Sequence, residues 1–290
     1  MAQFEDFYWT SPNGLQLHAR DYAPVIETAR LPVICLHGLT RNARDFEDVA
    51  PRIAAAGRRV LAADFRGRGQ SDRAADPMSY LPPVYAGDIV AMMTCALIPQ
   101  ALFIGTSLGG LVTMIVAAMA PQAVGGSVLN DVGPRLSPVG LKRIGGYVGL
   151  PSDVADWKGA AAYAKAVNGA AFPHESEAFW DRFARRLFKA GADGRPVLDY
   201  DPGIAAPFKE VDPDLPAPDL TPLFAGLALG RPTLLVHGAL SDLIDQERVD
   251  EMRELAPDMA YVQVPGVGHA PMLTEPAAWA AVEAWLEEAP

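Results

Sequence analysis

Five short apolar runs recur along the chain with helix-like segments between them: PVICLHG at 32–38, RVLAAD at 59–64, ALFIG at 101–105, SVLND at 127–131 and TLLVHG at 233–238. Their apolarity is continuous rather than alternating. That is the pattern of strands buried on both faces, as in a parallel sheet covered by helices on either side. The spacers agree: 46–56 and 246–255 carry an amphipathic pattern, whereas 108–119 (LGGLVTMIVAAM) is apolar almost all round and stops before Pro121. A helix with no polar face belongs in the middle of the molecule. Upstream, FYWTS and LQLHARDY flank Pro12-Asn13-Gly14 and read as an antiparallel hairpin on the sheet edge. The predicted fold class is α/β, a mostly parallel sheet with helices on both faces.

The alternation stops after Asp131 and resumes at Arg231. Between them the chain is rich in Gly, Pro and aromatic residues, with helical stretches at 156–166 and 175–189. Residues 133–220 are therefore expected to form a mostly helical cap inserted before the penultimate strand, with 1–132 and 221–290 as the core. The stretch 199–222 is too rich in proline for a regular element and is expected to run over the surface back to the core.

Composition narrows the function. A net charge of −11 repels phosphate backbones and anionic lipid surfaces, so neither nucleic acid nor membrane is an expected partner. No run of apolar residues is long enough to span a bilayer, and the N-terminus has no basic start followed by an apolar stretch, which points to the cytoplasm. Cys35 and Cys95 each read as a small buried hydrophobe, and without paired His or Cys at ligand spacing a structural zinc site has no basis.

The chemistry is expected where ALFIG meets the apolar helix, because that junction spells Gly105-x-Ser107-x-Gly109. A strand that turns abruptly into a helix lifts the serine hydroxyl above the sheet edge. It needs small residues two positions before and after, and it points the first helical N–H groups, starting with that of Leu108, at whatever is bonded to the serine. A serine is a weak nucleophile at neutral pH and needs a histidine base with a carboxylate to orient it. Of the five histidines, His269 lies in a Gly-rich loop (VPGVGHAPM) after the last strand-like run, at the expected C-terminal edge of the sheet, and is the candidate base. The loop after TLLVHG offers Asp242 and Asp245. Asp242 is the expected acid, because Asp245 sits where the next helix needs its cap. Gly38 lets the loop after PVICL turn so that the Leu39 N–H faces the serine, which with Leu108 makes a two-donor oxyanion hole. His37 is expected to brace that loop. Arg41 either faces the pocket or pairs at the surface; Trp157, Phe172, Phe179, Trp180 and Phe183 read mainly as core of the cap, with one or two of them, Trp157 and Trp180 the candidates, lining an acyl pocket.

HGLTRN, DFRGRGQSD, GTSLGG, LNDVGP, HGALSD and GVGHAP, in this order, resemble the α/β hydrolase family, specifically its capped serine hydrolases, over about residues 10–287. The resemblance implies hydrolysis through an acyl-enzyme on Ser107, with His269 as base and then acid, Asp242 holding its tautomer, and no metal or organic cofactor. It also implies that Asp131, at the end of the strand before the cap, stands where some relatives carry the acid; otherwise Asp131 fixes the cap hinge. Relatives that open epoxides or displace halide attack with aspartate, so Ser107 argues for a small-molecule ester as substrate. Lactone opening, C–C bond hydrolysis with the same triad, and a ligand-binding protein without turnover are the alternatives. A nicotinamide-dependent oxidoreductase would rest on the Gly67-Arg68-Gly69 fragment alone, which lacks the third glycine of a dinucleotide fingerprint.

Overall fold

The computed structural model describes residues 3–210 and 218–290. Two strands open the chain, β1 (Phe4–Thr10) and β2 (Gln16–Tyr22), joined through a turn at Gly14, whose φ of 90° suits a residue without a side chain. Then follow β3 (Val33–Leu36), α1 (Ala50–Ala55), β4 (Val60–Asp64), α2 (Pro82–Cys95), β5 (Ala101–Thr106), α3 (Leu108–Met119) and β6 (Val124–Asn130). The segment after β6 carries α4 (Pro138–Gly145), α5 (Trp157–Asn168), α6 (Glu177–Leu187), a small hairpin of β7 (Phe188–Ala190) and β8 (Pro196–Leu198), and α7 (Ala206–Glu210). The chain ends with α8 (Thr221–Ala228), β9 (Thr233–Gly238), α9 (Gln246–Leu255), β10 (Ala260–Val264) and α10 (Pro276–Glu288).

Eight strands form one sheet in the order β1-β2-β4-β3-β5-β6-β9-β10. The last six in that order pair in parallel, and β2 is antiparallel to both its neighbours. This is the α/β architecture expected from the sequence, with the hairpin at the edge. Continuous apolarity has its reason in the period of two: in β5, Ala101 and Phe103 join the core under α2, α3 and α8, while Leu102 and Ile104 join the core under α1 and α10. Of these, Leu102, Phe103 and Ile104, fully buried, each stabilise the fold by about 1.5–3 kcal/mol. The helix α3 lies against α2, α8 and β5, which explains its nearly uniform apolarity.

Two expectations change in detail. Cys95 is exposed at the end of α2, although Cys35 is buried in β3. The Pro-rich stretch 199–222 holds a 3-10 turn at Pro202–Ala205 and then α7, because Asp201 caps the Gly203 N–H at 2.8 Å and proline tolerates a first turn; its residues 211–217 lie outside the described residues. Among the described residues no helix is long and apolar enough to cross a membrane.

Candidate active site

The carboxyl ends of β3, β5, β6, β9 and β10 lie along one edge of the sheet, the side on which open parallel sheets present their ligand sites. Ser107 occupies the single residue between β5 and α3 with φ 52° and ψ −115°, a left-handed backbone that costs a serine energy and that its surroundings enforce. Those surroundings explain the glycines. A Cβ on Gly105 would sit 2.6 Å from the Gly109 backbone, and one on Gly109 would sit 2.0 Å from the carbonyl oxygen of Leu36 in β3.

His269 Nε2 lies 2.9 Å from Ser107 Oγ, and its Nδ1 lies 2.7 Å from Asp131 Oδ2. If Nδ1–H donates to Asp131, Nε2 is free to accept a hydrogen bond from the Ser107 hydroxyl. Asp131 follows β6 directly, with φ 54°, and is completely buried. Its Oδ1 accepts the Gly238 N–H at 2.8 Å, and its Oδ2 also accepts the Ser241 hydroxyl at 2.6 Å. Three donors thus hold a buried carboxylate that would otherwise be costly to desolvate.

Asp242 is not the partner of His269 in the structure, contrary to the sequence expectation. Its carboxylate accepts a two-pronged bond from Arg143 of α4, with Arg143 Nη2 2.8 Å from Oδ1. That guanidinium, above all through its hydrogen bond, holds the Asp242 carboxyl below its ordinary range. The end of β9 and the loop after it still contribute to the histidine's partner, through Gly238 and Ser241. Asp245 does cap α9, accepting the Arg248 N–H at 3.0 Å.

His37 is fully buried, with Nδ1 2.7 Å from the Gly38 carbonyl oxygen and Nε2 accepting the Phe65 N–H at 3.1 Å. Burial pushes it down to about 4, so it braces the loop as a neutral ring. Next to it, a Cβ on Gly38 would lie 3.8 Å from Ser107 Cβ, so the start of this loop passes close over Ser107. Among the described residues neither the Leu39 nor the Leu108 N–H donates to another protein group. Both residues adjoin Ser107, Leu108 in the chain and Leu39 in the wall of the same cavity.

That cavity, of about 70 Å³, is lined among others by Leu39, Arg41, Ser107, Tyr147, Phe172 and His269. Arg41 therefore faces the pocket. Trp157 and Trp180 do not line it. Arg185 stacks on the Trp157 ring at 3.7 Å, and Trp180 packs among Phe172, Phe179 and Phe183, so both bind the inserted segment to itself. Of the aromatic cluster it is Phe172 that reaches the cavity. Tyr147 and Asn168, which line it too, carry no motif that sequence reasoning could have used. Asn130 was also invisible: its side-chain N–H donors reach Thr106 Oγ1 at 3.0 Å and the Pro271 carbonyl at 2.8 Å, tying the strand before Ser107 to the loop that holds His269. Among the described residues no group of three or more His, Cys, Asp or Glu side chains is arranged to hold a metal ion.

A family model described as the alpha/beta hydrolase fold matches residues 32–276. A 3-hydroxybutyrate-oligomer hydrolase of Cupriavidus necator is 36% identical over 249 residues, 84% of each chain. A 2-(acetamidomethylene)succinate hydrolase of Mesorhizobium japonicum is 26% identical over 259 residues, 82% of this chain and 81% of the relative. The crystal structure of an alpha/beta hydrolase from Novosphingobium aromaticivorans superposes with a TM-score of 0.92 at 45% identity, covering 99% of both chains.

Proposed function

The chain belongs to the α/β hydrolase family, and from that premise we propose that it is a serine hydrolase of small carboxylic esters working through an acyl-enzyme on Ser107. The observation that carries the reading is the unbroken line of hydrogen bonds from Ser107 Oγ through His269 to Asp131.

In this reading Ser107 Oγ attacks the ester carbonyl carbon while its proton passes to His269 Nε2. The charge that develops on the carbonyl oxygen is met by the Leu39 and Leu108 N–H groups, which need no reorganisation at that moment. The C–O bond to the alcohol then breaks, and the leaving oxygen takes the proton from His269. Water repeats the sequence in reverse, giving a proton to His269 and its oxygen to the acyl carbon, after which Ser107 Oγ recovers its proton. Asp131 keeps Nδ1 protonated and stabilises the imidazolium without itself being protonated. In this reading the segment after β6, whose Tyr147, Asn168 and Phe172 line the cavity, is the cap that narrows the site, and a cavity of about 70 Å³ favours a short acyl group.

Ser107→Ala tests this. It is expected to leave the fold intact, to lower kcat by about 10⁴ to 10⁶ and to abolish labelling by a fluorophosphonate. A label on another residue, or a fully active variant, ends the serine reading. Because the M. japonicum relative bears the name of a different substrate class, the substrate panel includes a lactone and a diketone beside esters and the 3-hydroxybutyrate oligomers named for the C. necator relative.

A further inference from the structure

One wall of the cavity beside Ser107 is formed by an ion pair for which acyl transfer has no use. Arg41 and Asp45 both line it. Arg41 Nε is 2.9 Å from each Asp45 carboxylate oxygen and its Nη2 is 2.8 Å from Oδ1. The guanidinium lies 4.1 Å above the Phe183 ring, and Nη2 also touches Met272 Sδ at 3.7 Å. Its plane is thereby fixed from three sides. Among the described residues Nη1 has no protein partner, and it keeps access to solvent, so in this cavity-lining residue it is the guanidinium nitrogen left to donate to a ligand. The Arg41 stem is also close to the nucleophile: a Cβ on Gly38 would meet Arg41 Cγ at 3.6 Å and Ser107 Cβ at 3.8 Å.

A fixed donor beside a fixed acceptor selects its ligand by charge. The guanidinium is already neutralised by Asp45, and Asp131 lies buried behind His269, so an anionic group on the acyl chain would meet net repulsion. A hydroxyl meets none. It accepts from Arg41 Nη1 and donates to a carboxylate oxygen of Asp45, which has lone-pair capacity beyond its bonds to Arg41. We propose that Arg41 and Asp45 form a subsite for a hydroxyl on the acyl part of the substrate, so that short hydroxyacyl esters are the preferred class; this rests on the serine-hydrolase reading above.

The test compares kcat/KM by pH-stat for ethyl 3-hydroxybutyrate, ethyl butyrate and monoethyl succinate, on the wild type and on Arg41→Gln and Asp45→Asn, each checked by fluorophosphonate labelling of Ser107. The wild type is expected to prefer the hydroxy ester over ethyl butyrate by about tenfold or more, the size of one hydrogen bond to a charged group. Monoethyl succinate is expected to be the poorest substrate, and each variant should bring the hydroxy-to-plain ratio towards one. A pair that only braced its loop would alter stability and leave that ratio unchanged. A wild-type ratio near one, an unchanged ratio in both labelled variants, or a preference for the succinate overturns the subsite while ethyl butyrate hydrolysis upholds the serine reading. Absence of both hydrolysis and label sinks the two together.

Discussion

Asparagine at position 131 keeps the shape of the carboxylate but cannot keep its three acceptor bonds. If the amide NH₂ stands where Oδ2 now meets His269 Nδ1 and the Ser241 hydroxyl, Nδ1 must become the acceptor. The proton then sits on Nε2, pointing at Ser107 Oγ 2.9 Å away, and the histidine no longer accepts the serine proton. If the amide is turned the other way, its NH₂ meets the Gly238 N–H donor-to-donor in a fully buried place, costing about 1–3 kcal/mol of stability. Either orientation loses, and the first is the better of the two for the fold. Asp131→Asn is thus expected to lower kcat by about 10⁴, about 5.5 kcal/mol of transition-state stabilisation, while leaving a folded protein. Asp242→Asn weakens a half-exposed pair with Arg143 and is expected to cost less than about tenfold in kcat. The assay is steady-state hydrolysis of p-nitrophenyl butyrate, normalised to active sites counted with a fluorophosphonate. A larger loss in Asp242→Asn than in Asp131→Asn would refute the assignment and return the acid to the loop after β9.

Gly109→Ala would drive a methyl group into the Leu36 backbone carbonyl, so it is expected to cost about 3 kcal/mol or more and to cut the yield of folded protein; chemical denaturation showing a loss under about 1 kcal/mol would contradict the close approach. His37, held neutral by burial down to about 4, protonates in the unfolded chain near 6.5 but not in the folded one, so its contribution of up to about 3 kcal/mol is complete above pH 6.5 and is lost as pH falls towards 4. Urea melts from pH 7 to 4.5 should show a steeper fall for the wild type than for His37→Gln; parallel profiles would count against a neutral ring. The loop after β3 has Leu39 and Thr40 beyond Gly38, and the cavity is small, so rate is expected to fall beyond about eight acyl carbons and tert-butyl acetate to be inert. A preference for p-nitrophenyl palmitate over the acetate and butyrate would contradict the restricted pocket.

Features encoded by local pattern were readable from the residues alone. The runs of β3, β4, β5, β6 and β9 are continuous because both faces of each strand are covered, and α3 spans Leu108–Met119 as its composition foretold. Gly105, Ser107 and Gly109 were legible for the same reason, since a turn this tight admits few residues and all of them lie within five positions. His269 was legible from chain order. The inserted segment was less so: its small hairpin of β7 and β8 is two strands of three residues, too short to show a period. The choice between Asp131 and Asp242 lay beyond local pattern altogether. Both follow strand ends at the same edge of the sheet, and Asp242 is close enough for the charge of His269 to act on it. Which carboxylate turns to the histidine depends on Arg143, which reaches from α4 to hold Asp242, and on Gly238 and Ser241, which hold Asp131 from across the sheet edge. Those partners lie about a hundred residues away in the chain, as the separations of 99, 107 and 110 positions record, so only the folded arrangement brings their hydrogen bonds to bear on the choice.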